Sequence, residues 1–408
     1  MDVRELKGLR RRLRVFVSRF DDCIKTAPSR RHLRTYVRGQ IGDLERKNAA
    51  AIALDAGVPP RSLQEFLAIH CWDDAAVRDR VQELVVAGHA DPNAIAVIDE
   101  TSFPKKGDKT AGVQRQYCGA TGKVDNCVVS VHLGYVAGDF HALLDADLYV
   151  PEGWLADRER CEEAGIPEAV AYRPKWRIAL DLLGHARENG VPLRYLTADE
   201  AYGRCGTFRS EADAMGFVYV VEVPCSLSGW TKRPRVVQPG QPAGRAGRCP
   251  AKPHLAPSAP RPRRLDGLWK RGGPSWTAFH VKNTQKGPVV WEARTARVFP
   301  RTDDGLPGDP AWLIVARHVL TGEVKYFLSN APQDTPPEVL LRVAFDRDPI
   351  EKLFEESKGE VGLDHFEARG YRAVRRHLVL SMVSLLFLAE QTERLRGEKS
   401  VVESAASA

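Results

Sequence analysis

Along the 408 residues the spacing of apolar and polar positions changes rhythm several times. Up to about residue 90 it is helical. Leu33, Val37, Ile41 and Leu44 recur on one face, with Arg30, Arg31, Arg34 and Arg38 on the others. Pro59-Pro60 interrupts the pattern, Ser62 with Glu65 has the form of a capping box, and Trp72-Asp73-Asp74 opens a helix striped by Val77, Val81, Leu84 and Val85. The spacing predicts a helical N-terminal domain over residues 1–90. Short helices carrying arginines suit a DNA-end-binding domain, and equally a packing domain whose arginines face water.

From Ala94 to Ile98 the pattern becomes a continuous apolar run, which predicts a buried strand ending on Asp99, with Pro104 and Gly107 as turn signals beyond it. Cys127–Val136 and Phe140–Val150 read as two further strands joined by a Gly138-Asp139 hairpin turn. Pro174 to Glu188 reads as a helix with Trp176, Ala179, Leu180 and Leu183 on one face and Gly190 as its stop. Leu193–Ala198 is again a strand, and it too ends in an acid, Asp199. A helix to about Met215 and a strand over Phe217–Val223 follow. Antiparallel strands followed by β-α-β-α pieces predict an α/β mixed sheet, begun over residues 91–225.

Past residue 226 the composition shifts. Residues 234–266, rich in Pro, Gly and Arg and without periodicity, are expected to form a mobile loop. Trp269–Phe299, Trp312–Ala316 and Lys325–Leu328 carry alternating apolar positions, so residues 226–334 read as a basic, aromatic, β-rich insertion. The α/β pattern resumes over 335–398. Pro349 suits the first turn of a helix whose inner face is Ile350, Leu353, Phe354 and Ser357. Arg347, Glu351, Glu355 and Lys358 fall along the neighbouring stripe. Tyr371–Leu395 is a closing helix, and 399–408 a disordered tail.

Charge sharpens this picture. Residues 1–50 hold fourteen Lys/Arg against six Asp/Glu, and residues 231–301 hold sixteen against two, although the whole chain is only +7. Basic charge gathered in two blocks is what a polyanion binder needs. The eight cysteines include no C-x-x-C pair, which argues for reduced thiols and against a zinc site. No apolar run is long enough to span a membrane, and the basic N-terminus lacks a signal-peptide core, so a cytoplasmic protein is expected.

Three carboxylates stand out by position: Asp99 and Asp199 at strand ends, and Glu351 near a helix start. An acid at the end of a buried strand is costly unless compensated, either by capping the next turn through its own backbone or by a bound cation. If the two strands are neighbours and the helix crosses them, hard oxygens of this number suit Mg²⁺ or Mn²⁺. Two such ions would activate a water or 3′-hydroxyl and stabilise the departing oxygen. Arg and Lys beside Glu351 then read as phosphate clamps, where a solvated face of i,i+4 ion pairs is the plainer alternative.

The segments V-I-D-E-T-S-F-P-K-K-G with R-Q-Y-C-G downstream, L-T-A-D-E-A-Y-G, and R-D-P-I-E-K-L-F-E-E-S-K-G-E-V-G-L-D-H-F-E-A-R resemble those of insertion-sequence transposases of the DDE type. The resemblance runs over roughly residues 90 to 395. It implies a ribonuclease-H-like mixed-sheet core interrupted by a β-rich insertion and preceded by a helical domain. It also implies that Asp99, Asp199 and Glu351 are the metal-binding and catalytic triad, holding two Mg²⁺ or Mn²⁺ ions. Arg347 and Lys358 would hold DNA phosphate, and Lys105, Lys106 and Arg115 are further DNA contacts on the matching motifs. Trp276 and Trp291 are candidates to stack on an unpaired base, with burial in a small β-domain as the commoner alternative. Two departures stand: Ala344, not Phe345, occupies the aromatic position before Arg347, and Glu100 follows Asp99 where relatives often have Asp. The choice of Asp99 over Glu100 therefore rests on strand register. The implied partners are double-stranded terminal inverted repeats and target DNA, with a homodimer in the synaptic complex. Rival readings are a decayed or domesticated DNA-binding protein and a metal-dependent nuclease without strand transfer.

Overall fold

Five helices open the chain: α1 (Val3–Ser18), α2 (Ala27–Ile41), α3 (Ala49–Asp55), α4 (Pro60–Ala68) and α5 (Asp74–His89). Strands β1 (Ala94–Pro104), β2 (Gln114–Cys118), β3 (Lys123–Ala137) and β4 (Phe140–Leu148) follow, then α6 (Glu152–Leu155), α7 (Arg158–Glu163) and α8 (Lys175–Glu188). Next come β5 (Leu193–Ala198), α9 (Glu200–Gly203), α10 (Gly206–Ala214) and β6 (Val218–Glu222). Short strands β7 (Ser228–Trp230), β8 (Val236–Val237), β9 (His254–Leu255) and β10 (Arg263–Arg264) precede the longer β11 (Thr277–Thr284), β12 (Gly287–Pro300), β13 (Ala311–His318) and β14 (Val324–Ser329). Helices α11 (Pro337–Phe345), α12 (Asp348–Val361) and α13 (Tyr371–Ala406) close the chain. This computed structural model describes residues 3–239, 251–269, 273–284 and 287–406. They fall into two compact units: Met1–Leu193 with Asp348–Ala408, and Arg194–Arg347. N-terminal helices, a mixed sheet and inserted strands make up a ribonuclease-H-like core carrying an insertion.

In the first unit β3 is the longest strand, pairing antiparallel with β1, β2 and β4. The N-terminal helices are joined to α13 by buried polar contacts. Tyr36 Oη meets His377 Nδ1 at 2.8 Å, Gln40 Nε2 donates to Ser381 Oγ at 2.9 Å, and Ser384 Oγ donates to Gln40 Oε1 at 2.8 Å. Fully satisfied buried polar groups of this kind specify one packing of the two helices. Of the arginines on α2, Arg30 donates to the carbonyls of Asp21 and Ile24 and Arg34 pairs with Asp21, so both tie down the end of α1, while Arg38 stays exposed.

A second cluster joins α5, β4 and α8. Buried Asp145 pairs with Arg78 at 3.1 Å and with His185 Nδ1 at 2.7 Å, while His185 Nε2 meets Asp79 at 2.7 Å. The hydrogen bond to Asp145, helped by the charges of Asp145 and Asp79, raises the His185 pKa above its ordinary 6.5, against burial and Arg78. Because the folded value is raised, this stabilisation is fully present below the unfolded pKa and is lost as pH climbs through the folded one. In urea unfolding between about pH 5.5 and 8.5, the stability advantage of wild type over His185→Gln is therefore expected to shrink as pH rises. An advantage independent of pH would contradict a charged His185.

In the second unit β5 and β6 are parallel, and β6 continues antiparallel through β14, β13 and β12, which also pairs with β11 and β7. Of the loop expected over 234–266, residues 240–250 lie outside the described ones. On either side of them β8 pairs with β9, and Trp230 Nε1 donates to the Pro260 carbonyl at 2.7 Å. Pro and Arg there are compatible with two-residue ladders, which have no periodicity for a sequence pattern to reveal.

Two local expectations differ from the structure. The turn of Ser62 and Glu65 is not a capping box: α4 starts earlier, with Pro59 at the cap and Pro60 inside, and Glu65 pairs with Arg61 at 2.6 Å. Proline's fixed φ and missing amide make it a natural first helical residue, which shifts the start. Strand β2 was not expected, because Gln-Arg-Gln-Tyr lacks the apolar alternation of a half-buried strand; Arg115 and Tyr117 are exposed.

Candidate active site

Asp99 sits inside β1, not at its end. The ladder with β3 runs unbroken from Ile95 to Pro104 and places Asp99 opposite His132. The strand continues through the polar Thr101 and Ser102 because both are buried, at 5% and 6% exposure, and β3 keeps pairing with them. Asp99 Oδ1 accepts the Glu100 amide at 2.8 Å.

Alternation along β1 sends Asp99 and Glu100 to opposite faces. Glu100 turns toward α8, where Lys175 Nζ donates to its Oε1 at 2.8 Å, and its Oε2 is buried with no hydrogen-bond partner. Asp99 shares its face with Val97, His132 and Gly134, since residues directly opposite on antiparallel strands point the same way. Helix α12 covers that face. A Cβ on Gly134 would lie 2.2 Å from Ile350 Cδ1, so only glycine lets the first turn of α12 sit this low on β3. One turn on, Phe354 meets the His132 ring edge-on at 5.1 Å. Glu351 and Glu355 are exposed beside these anchors, and Lys358 is half-buried. The two anchoring contacts thus put the helix carrying Glu351 on the same side of the sheet as Asp99.

His132 lies beneath α12, 1% exposed. Burial first, and the positive charge of Lys358 second, push its pKa down to about 3, so the ring is neutral. Its Nε2 is 2.6 Å from Ser130 Oγ, while Nδ1 has no hydrogen-bond partner.

In the second unit, Asp199 follows β5. Its Oδ1 accepts the amides of Ala201 at 2.9 Å and Tyr202 at 3.3 Å, capping α9. The backbone-capping alternative is thus realised through one carboxylate oxygen, Oδ1, and the cap does not use Oδ2. Helix α9 is pressed onto β6: a Cβ on Gly203 would lie 1.9 Å from the Glu222 carbonyl oxygen. Arg209 donates to the Gly203 carbonyl, and Tyr202, 1% exposed, packs against Phe208 at 5.7 Å.

The candidate DNA contacts divide by environment. Lys106 and Arg115 are exposed. Lys105 is turned inward: Nζ donates to the Phe366 carbonyl at 2.7 Å and lies 3.4 Å above the Phe366 ring, and burial lowers its pKa to about 8. Arg347 and Lys325 both reach Glu222, at 3.8 and 3.7 Å. Trp291 is 6% exposed and packs on Phe345 at 4.8 Å, which makes it core. Trp276 is half-buried, with the guanidiniums of Arg294 and Arg317 each 4.6 Å from its ring centre. A single apolar Trp in a strand pattern cannot be told from a platform without this burial.

Among the described residues, no three His, Cys, Asp or Glu side chains are gathered as a ready-made metal cage. Carboxylates are nevertheless the donors Mg²⁺ takes, and that ion keeps waters and leans on substrate phosphates without needing an all-protein cage. The donor set fits the ion.

A family model described as DDE superfamily endonuclease matches residues 19–288. Asp99 and Asp199 lie within that span and Glu351 beyond it. Over 188 residues the chain is 34% identical to a protein of Microchaete diplosiphon named as a probable transposase for insertion sequence element IS701. The match covers 45% of this chain and 46% of that protein, so the chain spans about half the length of the curated relative it matches.

Proposed function

Because the chain belongs to the DDE superfamily endonuclease family, we propose that it is the transposase of an insertion sequence, cutting the 3′ ends of terminal inverted repeats and joining them to target DNA. The observation that carries this reading is the shared face of Asp99 and α12, which brings a strand carboxylate and the helix of Glu351 to one side of the sheet. Asp99, Asp199 through Oδ2, and Glu351 would hold the divalent cations. When bound, these ions would supply an activated water or 3′-hydroxyl and charge stabilisation for the departing oxygen.

The chain's own residues do the rest. Ile350 and Phe354 fix the height and rotation of α12, and with them the place of Glu351 along the sheet. Neutral His132 adds no charge beneath Asp99. Lys358 and Arg347 flank Glu351 as phosphate partners, and Glu222 keeps Arg347 oriented until DNA replaces it. Trp276, between two arginines, has the mixed stacking and cationic character that unpaired bases favour. Two ends brought together would require at least a dimer.

The test uses duplexes cut from the DNA flanking the reading frame. Nicking that requires Mg²⁺ or Mn²⁺ and stops with EDTA, together with joined product from pre-cut ends, is the expected result. Binding without nicking would mean a DNA-binding protein alone. Nicking without joining would mean a plain nuclease.

A further inference from the structure

On the face of β1 and β3 that carries Asp99, cover is given in turn by Ile350 at Gly134, Phe354 at His132 and Phe366 at Phe103. Beyond Phe366 the face emerges into solvent. There β2 and the start of β3 form a two-stranded ribbon, with Arg115 opposite Asn126 and Tyr117 opposite Val124. Val124 and Asn126 continue the alternation of Ser130 and His132 along one strand, so Arg115 and Tyr117 point to the same side as Asp99.

Tyr117 is 62% exposed and Val124 57%. A cross-strand pair of this type contributes most when covered, yet among the described residues nothing covers it. The other side of the ribbon is firmly anchored. Cys118, Cys127 and Val129 are buried with Tyr149, and Gln116 Nε2 donates to the Cys127 carbonyl at 3.1 Å. Asn126 Nδ2 donates to the carbonyls of Lys105 and Gly107 at 2.8 and 2.7 Å, which fixes the turn bearing exposed Lys106 at the ribbon's root. The exposed charges on this side are the cations Arg115 and, at the root, Lys106; Lys105 is turned inward onto Phe366 and Lys109 pairs with Glu163 at 2.8 Å.

We propose that the β2–β3 ribbon is a DNA-docking surface, with Tyr117 and Val124 against sugars or base edges and Arg115 and Lys106 on phosphates. This rests on the transposase reading and extends it to a named surface. A rigid two-stranded ribbon fits the major groove, and its positive charge favours a polyanion over a second, equally basic copy of itself. From His132, opposite Asp99, to Val124 is eight residues of β3, about 26 Å at the rise of a strand. At 3.4 Å per step, the contact falls about eight base pairs from the scissile phosphate.

The full chain is titrated with labelled duplexes from the DNA flanking its reading frame, at several salt concentrations. Wild type is compared with Arg115→Gln and with the double variant Tyr117→Ser, Val124→Thr. All three positions are exposed, and Arg115→Gln alone keeps the test valid if the double variant folds poorly. The double variant is expected to bind about tenfold more weakly. Arg115→Gln should reduce the salt slope by about one, and both should lose hydroxyl-radical protection about eight base pairs from the cut. Equal affinity and an unchanged footprint would overturn the ribbon assignment while leaving the transposase reading intact. Variants that bind DNA normally but lose self-association would overturn it in favour of a subunit contact. A wild-type protein that binds none of these duplexes would overturn both.

Discussion

Asp99→Asn is expected to lower Mg²⁺-dependent nicking by at least about 10²-fold, while Glu100→Gln leaves it within a few-fold of wild type. Two adjacent acids of the same charge differ only in the face they take. Asp99 lies opposite His132 on the side covered by α12, and Glu100 pairs with Lys175 on the side of α8. Removing one hard ligand, or one aligned electrostatic stabiliser, costs two to three orders of magnitude in comparable sites. Glu100→Gln keeps the side chain's shape and gives up one partly buried ion pair, a loss felt in stability more than in rate. Thermal melting separates the two effects. Asp99→Asn should melt close to wild type, and Glu100→Gln lower. The reverse pattern in nicking, with Glu100→Gln inactive and Asp99→Asn active, would move the ligand to the other face.

The second large effect concerns Gly203. A methyl group there would stand 1.9 Å from the carbonyl oxygen of Glu222, an atom of β6 itself. No rotamer change relieves a clash with backbone, so Gly203→Ala must lift α9 off the strand. The expected cost is about 3 kcal/mol, read by denaturant unfolding, with nicking reduced beyond the loss of folded protein because Asp199 caps the displaced helix. Gly134 provides the contrast. There the obstructing atom is Ile350 Cδ1, the end of a side chain. Gly134→Ala should therefore be partly rescued by Ile350→Val, which removes the atom at 2.2 Å and leaves Cγ1 at 2.9 Å, whereas no side-chain trimming should rescue Gly203→Ala. A Gly203→Ala protein as stable as wild type would mean that α9 is not seated as described.

Much of this was legible in the sequence because period and chemistry coincide. Apolar runs before Asp99 and Asp199 read as buried strands, and the Ile350–Phe354 spacing reads as one helical face. Other features have no such signature. Asp99 looked like a strand terminus because the residues after it are polar, yet Thr101 and Ser102 are buried and the ladder continues. Lys105 and Lys106 read alike as a basic pair, but one ammonium is committed to Phe366 and the other is exposed. Trp276 and Trp291 are equivalent as letters and separate only by packing: Trp291 lies against Phe345, and Trp276 lies between arginines. The exposed ribbon of β2 has no signature for a related reason: a strand whose side chains face solvent lacks the pattern of one that presents them to a core.

The central claim is that three carboxylates remote in sequence serve shared cations. The most direct measurement replaces Asp99, Asp199 and Glu351 singly by Cys and compares DNA nicking in Mg²⁺ and Mn²⁺. A thiolate is a poor ligand for the hard Mg²⁺ and a better one for Mn²⁺. The account predicts that each variant is inactive in Mg²⁺ and regains nicking in Mn²⁺. Any one of the three that cuts DNA in Mg²⁺ as well as wild type would contradict it.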